Sequence, residues 1–114
     1  MLVNDLFLDN YLRKINADYV GFAQRSSNAV SERYNIDNAP RIKKFADELT
    51  FKFGKKYIKI LSGGSAHSFI VNTDKDIKFK KGDILMAASW SAPARNFPRG
   101  NIFETDYKVR WTGA

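Results

Sequence analysis

Apolar and polar positions change their rhythm once along this chain, near Gly54: helical spacing precedes it and strand-like alternation follows. Leu8, Tyr11, Leu12 and Ile15 recur at i, i+3, i+4 and i+7, the buried face of a helix. Asn4 precedes them, placed for its side-chain oxygen to accept from the free N–H groups of the first turn. Arg13 and Lys14 stand toward the far end, where the helix dipole favours cations, and Asn16 is the predicted stop. A second helical stretch, Asp18 to Arg33, is less regular. Tyr19, Val20, Phe22 and Ala23 make one apolar patch and Val30 a later one, with the polar run Gln24 to Asn28 between them as a place for a break. A third helix is predicted from Pro40 to Phe53, preceded by Asn38 or Ala39, since proline suits the first turn. Ile42, Phe45, Ala46, Leu49 and Phe53 form its stripe, Glu48 and Lys52 pair across one turn, and Gly54 takes the position past the helix end.

After Gly54, Tyr57 to Leu61 is rich in strand formers, Gly63-Gly64 closes a tight turn, and Ser65 to Val71 is the return strand. Asn72 to Asp76 is polar turn material, Ile77-Lys78-Phe79 alternates, Lys80 to Asp83 turns again, and Ile84 to Met86 opens another strand. Tyr107 to Trp111 alternates apolar and basic, as a strand with one wet face does. The pattern predicts an α+β fold: N-terminal helices on an antiparallel sheet of four or five strands, in a single domain with a helical part (1–54) and a basic β part (55–114). Ile42, Phe45, Leu49 and Phe53 are expected against Ile58, Ile60, Phe69 and Val71. Between Trp90 and Ile102 periodicity disappears. This stretch holds Pro93, Pro98, Arg95, Arg99 and a Gly100-Asn101 turn, and long loops of this kind often carry function.

Composition narrows the classes of function. The 114 residues include nine Phe, five Tyr and two Trp, which suits a folded chain and argues against disorder. With no cysteine there is neither a disulfide framework nor a thiolate metal site, and a lone histidine makes a His-based site improbable. No apolar run reaches the length of a membrane span, and acids stand near the N-terminus where a signal peptide has basic residues. A soluble intracellular protein is the expectation. Residues 1–38 carry four Lys/Arg against five Asp/Glu and sum to −1; residues 39–114 carry fifteen against seven and sum to +8. A basic field on that scale favours an acidic partner, although lysine alone also serves solubility.

The run Lys81-Gly82-Asp83, Ala87-Ala88-Ser89-Trp90, Pro93-Ala94 and Arg99-Gly100-Asn101 resembles a pattern in small, mostly uncharacterised proteins of tailed bacteriophages. The strands Tyr57 to Ile60 and Ser65 to Ile70 resemble the same family's, so the likeness covers about residues 56–104. It implies a phage source and a location in the cytoplasm of an infected bacterium or in the virion. It implies no activity and no functional residues.

Candidate chemistry is therefore read from the residues themselves. His67 lies between Ser65 and Ser68. Adjacent strand residues point to opposite faces, so His67 and Ser68 are not expected to meet, while Ser65 shares the histidine's face about 7 Å away along the backbone. Without an orienting third group this is no triad, and a paired, half-buried histidine is the better reading. Asp74 with Asp76, and Glu104 with Asp106, read as solvated turn residues. Gly63-Gly64-Ser65 lacks the helix and lysine of a phosphate loop. No catalytic residue, metal site or cofactor is assigned, and an enzyme is the less favoured class. Single-stranded nucleic acid draws on more of the chain, because such binders join a basic groove to exposed aromatics. Trp90, Phe97 and Trp111 are the aromatics; Arg95, Arg99, Arg110, Lys78, Lys80 and Lys81 are the cations, with Asn101 beside them. Against this, tryptophan at a strand end tends toward the core, and Arg95 and Arg99 could hold the loop to Glu104 or Asp106. The alternative is a module that captures an acidic host or virion protein, acting as host inhibitor, anti-defence factor or virion component. The same loop has residue types common in interface hot spots, and an edge strand at 107–111 could pair. Leu2, Leu6 and Phe7 add apolar surface that a second copy could cover.

Overall fold

The computed structural model describes residues 3–34, 39–104 and 106–114, with side chains given outside 24–39. Asn38 and Leu2, and the side chains of Val30 and of the Gln24 to Asn28 run, lie outside what is described. Helix α1 (Asp5–Tyr34) leads into α2 (Ala39–Asp47). A five-stranded antiparallel sheet follows, with strands in sequence order: β1 (Leu49–Phe53), β2 (Tyr57–Ser62), β3 (Ser65–Val71), β4 (Asp83–Met86) and β5 (Gly100–Asn101). The fold is α+β, helices first and sheet after.

Asn4 does cap α1, its Oδ1 accepting from Leu6 N at 3.1 Å and Phe7 N at 3.3 Å. Asn16 does not end it: the backbone stays helical to Tyr34, because Leu8, Tyr11, Ile15, Tyr19 and Ala23 continue one buried stripe past that point. Leu8, Tyr11 and Ile15 of this stripe cover the sheet face made by Ile58, Ile60, Ile70 and Ile84. Burying each such side chain contributes about 1.5–3 kcal/mol.

The third predicted helix is cut short. Glu48 N donates the last helical bond, to Lys44 O at 3.1 Å, and Leu49 to Phe53 then pair residue for residue with β2. The apolar stripe had two solutions. Leu49, Phe51 and Phe53 alternate as well as they repeat helically, and the free edge of β2 decides for a strand. The pairing within the helix is Lys43 with Asp47, not Glu48 with Lys52. Gly54 belongs to the β1–β2 turn, donating to Tyr57 O at 2.9 Å. Of the residues expected under the sheet, Leu49 is buried, Ile42 and Phe45 are partly so, and Phe53 is 49% exposed. Phe45 stacks on Tyr19 at 4.0 Å, and Trp111 stands edge-on to Tyr19 at 5.1 Å.

Ile77 to Phe79 and Tyr107 to Trp111 are not strands. The C-terminal segment lies against α1 and is held by side chains instead of a ladder. Lys14 Nζ donates to Tyr107 O at 3.2 Å, Asp18 Oδ2 accepts from Trp111 N at 2.9 Å, and His67 Nε2 donates to Arg110 O at 2.7 Å. Phe7 meets Phe103 edge-on at 4.8 Å within the chain, whereas Leu6 is exposed. No helix among the described residues is long and apolar enough to cross a membrane.

Candidate functional site

The sheet's second face carries Tyr57, Lys59, Phe69, Val71 and Leu85, the residues that alternate with the α1-facing set. Phe79 and Ala87 close a small second core over it. The segment from Ala87 to Arg99 is tied to the outer edge of β4: Ala94 N donates to Met86 O and Arg99 N to Ile84 O, each at 2.7 Å. Ala88 N and Ser89 N both bond to Ala92 O, at 3.0 and 3.1 Å, so residues 88–92 form a tight turn with Trp90 at its tip.

Trp90 is 55% exposed, against its usual tendency to bury, because that turn lifts it off the small core. Lys59 Nζ lies 4.1 Å from the centre of its ring. Phe97, 51% exposed, has the Arg99 guanidinium over its ring at 4.1 Å. The loop therefore presents two open aromatic rings, each with a cation beside it. Trp111 does not join them, since it packs among Tyr19, Phe22 and Phe45.

Arg95 has a different duty. It bonds Asp76 through both nitrogens, at 2.9 and 3.0 Å, donates to the Tyr57 hydroxyl, and lies 4.8 Å from the Phe79 ring. Asp76 is not a solvated turn residue: its side chain is 1% exposed and also accepts from Lys78 N and Phe79 N. These bonds, that from Arg95 foremost, hold its carboxyl well below the usual range and push the Arg95 guanidinium still higher. The pair pins the loop to the 72–79 connection, so Arg95 does not reach for Glu104 or Asp106, and among the described residues Arg99 forms no ion pair with either.

Three of the other expected contacts are also engaged. Asn101 Nδ2 donates to Lys81 O and Asp83 Oδ1, and its Oδ1 accepts from Phe103 N, so it is a structural tie. Lys81 pairs with exposed Asp74 at 3.3 Å, and Lys78 Nζ donates to Arg95 O at 2.5 Å. Lys80 is exposed and lines a cavity with Lys78 and Arg99, which Asp83 and Glu104 line as well. The Arg110 side chain is exposed at the C-terminal turn. Lys59, at the Trp90 ring, was missed. The β2 alternation placed it on the face opposite Ile58 and Ile60, and only the loop's fold showed what covers that face.

His67 and Ser68 do meet, contrary to the strand rule. Ile60 pairs with Ser68 and Leu61 with Ala66, which leaves His67 as the extra residue of a bulge. The bulge brings His67 Nδ1 to 2.8 Å from Ser68 Oγ, which lies 2.7 Å from the Tyr11 hydroxyl. Because Nε2 must donate to the Arg110 carbonyl, neutral His67 accepts at Nδ1. Ser68 therefore donates to His67, and Tyr11 donates to Ser68. Burial pushes the His67 pKa down, partly opposed by the Arg110 carbonyl, and pushes the Tyr11 hydroxyl well up. Ser68 is fully buried with its oxygen spoken for on both sides, so this row is a tie between α1, β3 and the C-terminal segment, not an exposed nucleophile.

No protein-family model, curated protein or solved structure matches the chain.

Proposed function

We propose that this chain is a phage-encoded protein that binds single-stranded nucleic acid without reading its sequence, in the infected cell's cytoplasm or in the virion. The observation that carries the reading is the pair of open rings, Trp90 and Phe97, each with a cation 4.1 Å away. Bases stack on such rings whatever their identity, while the neighbouring charges meet the phosphates between them. The net charge of +7 supports the same partner, and the resemblance to tailed-phage proteins supports the source. Arg95 and Asn101 support the surface from below; Trp90, Phe97, Lys59 and Arg99 make it.

Anisotropy of labelled single- and double-stranded oligonucleotides, titrated with the protein at two salt concentrations, tests this. The single strand is expected to bind more tightly, and binding to weaken linearly in log salt. Absence of binding at low salt rejects the reading and leaves capture of an acidic protein in its place.

A further inference from the structure

Beyond Ala66 and His67, at the start of β3, lies a cavity of about 660 Å³ between the sheet and the C-terminal turn. Three cations line it, Arg99, Lys108 and Arg110, together with Thr112, Gly113 and Ala114, and no lining side chain is acidic. Among the described residues none of the three forms an ion pair. Among the described residues Arg99 Nε is buried without a hydrogen-bond partner, and the guanidinium donates to the Met86 sulfur at 3.6 Å, a weak acceptor. An anion in this cavity would give the Arg99 guanidinium a stronger acceptor than that sulfur.

The cations stand on a braced frame. Arg110 and Gly113 exchange reciprocal backbone bonds of 3.2 Å, His67 holds the Arg110 carbonyl, and Asp18 holds the next amide. That frame leaves little backbone ordering to be done when a ligand arrives, and the exposed Lys108 and Arg110 side chains order on binding. The other wall is apolar, made by Ala66, Met86 and Ala87. The volume is that of a small-molecule site, larger than a bare ion requires.

We propose that this cavity binds a phosphate monoester, the 5′-phosphate of a nucleotide, either free or at the end of a strand. A monoester carries about −1.5 to −2 at neutral pH, which suits three unpaired cations better than the single charge of an internal phosphodiester. The guanidiniums of Arg99 and Arg110 match its oxygens in pairs, and the apolar wall receives the attached nucleoside. Arg99 joins this cavity to the Phe97 ring. The proposal rests on the single-strand reading only for the source of the phosphate.

The test uses the full chain and a variant carrying Lys108→Gln and Arg110→Gln, both exposed positions whose change leaves the core intact. Adenosine 5′-monophosphate and adenosine are titrated against amide NMR spectra, and 5′-phosphorylated and 5′-hydroxyl single strands are compared by anisotropy. The monophosphate is expected to shift the amides of residues 66–67 and 110–114, adenosine to leave them unmoved, and the variant to lose the response. The phosphorylated strand should bind about tenfold or more tightly than the hydroxyl strand, a difference the variant abolishes. Unmoved amides with equal binding of both strands overturn the cavity and leave the single-strand reading standing. Monophosphate shifts without binding of either strand support the cavity with a free nucleotide as its ligand, and reject the single-strand reading.

Discussion

At Trp90 the ring meets the Lys59 ammonium and is 55% exposed, so truncating it removes a stacking surface at the protein's exterior and opens no enclosed core space. Trp90→Ala is expected to melt within about 0.5 kcal/mol of the parent and to lose roughly 1–3 kcal/mol of single-strand affinity. Paired thermal melts and anisotropy titrations check both halves, and a large stability loss with unchanged affinity would sink the platform role. Gly100 shows the opposite situation. A Cβ there would stand 2.6 Å from Tyr107 Cβ, and the φ of +155° already strains a side chain. Tyr107 is buried over α1, so Gly100→Ala is expected to lower the melting temperature while leaving Trp90 and Phe97 in place. The Gly100-Asn101 dipeptide looks like a turn in sequence; its glycine is needed for that close approach.

Among the elements, the loop after β4 depends on a residue from another loop. Removing Arg95 frees the carboxyl of Asp76 and the Tyr57 hydroxyl together, so Arg95→Ala should loosen residues 87–99. Faster amide exchange there, with the salt slope of binding unchanged, is the expected result. A slope reduced by about one unit would instead make Arg95 a phosphate contact. The bulge in β3 gives a second comparison. Ser68→Ala leaves both the Tyr11 hydroxyl and His67 Nδ1 without partners, whereas Tyr11→Phe removes one donor and leaves Ser68 bonded to His67. Urea denaturation should show Ser68→Ala the costlier, at about 2 kcal/mol or more, against about 1 kcal/mol for Tyr11→Phe.

For the whole molecule these buried groups set a pH window. His67 titrates below its ordinary 6.5 in the folded state, so the unfolded chain takes up the proton first. Its contribution is complete above 6.5 and falls away as the pH drops through the folded value. Tyr11 moves the other way, above 10.0, and its contribution is complete below that pH and lost as the pH rises through the folded value. Tyr107 is raised by burial too and adds to the alkaline side. Urea midpoints should therefore be level between about pH 6.5 and 10 and fall on both sides. A midpoint still rising as the pH falls below 6 would contradict the neutral, buried His67.

What the sequence determined by itself is what neighbouring residues decide. The Asn4 cap, the Leu8-Tyr11-Ile15 stripe, the hairpin across Gly63-Gly64 and the helix-then-sheet order all follow from side-chain period and turn chemistry within a few residues. Only the tertiary structure decided the rest. Leu49 to Phe53 became a strand because β2 offered an edge, and Tyr107 to Trp111 stayed out of the sheet because Lys14, Asp18 and His67 took up its backbone groups. Asp76 left the solvent because Arg95, 19 residues on, came to it, and the Trp111 amide met Asp18 across 93 residues. Partners that far apart leave no period in the chain; they are chosen by which surfaces the packed helix and sheet bring together.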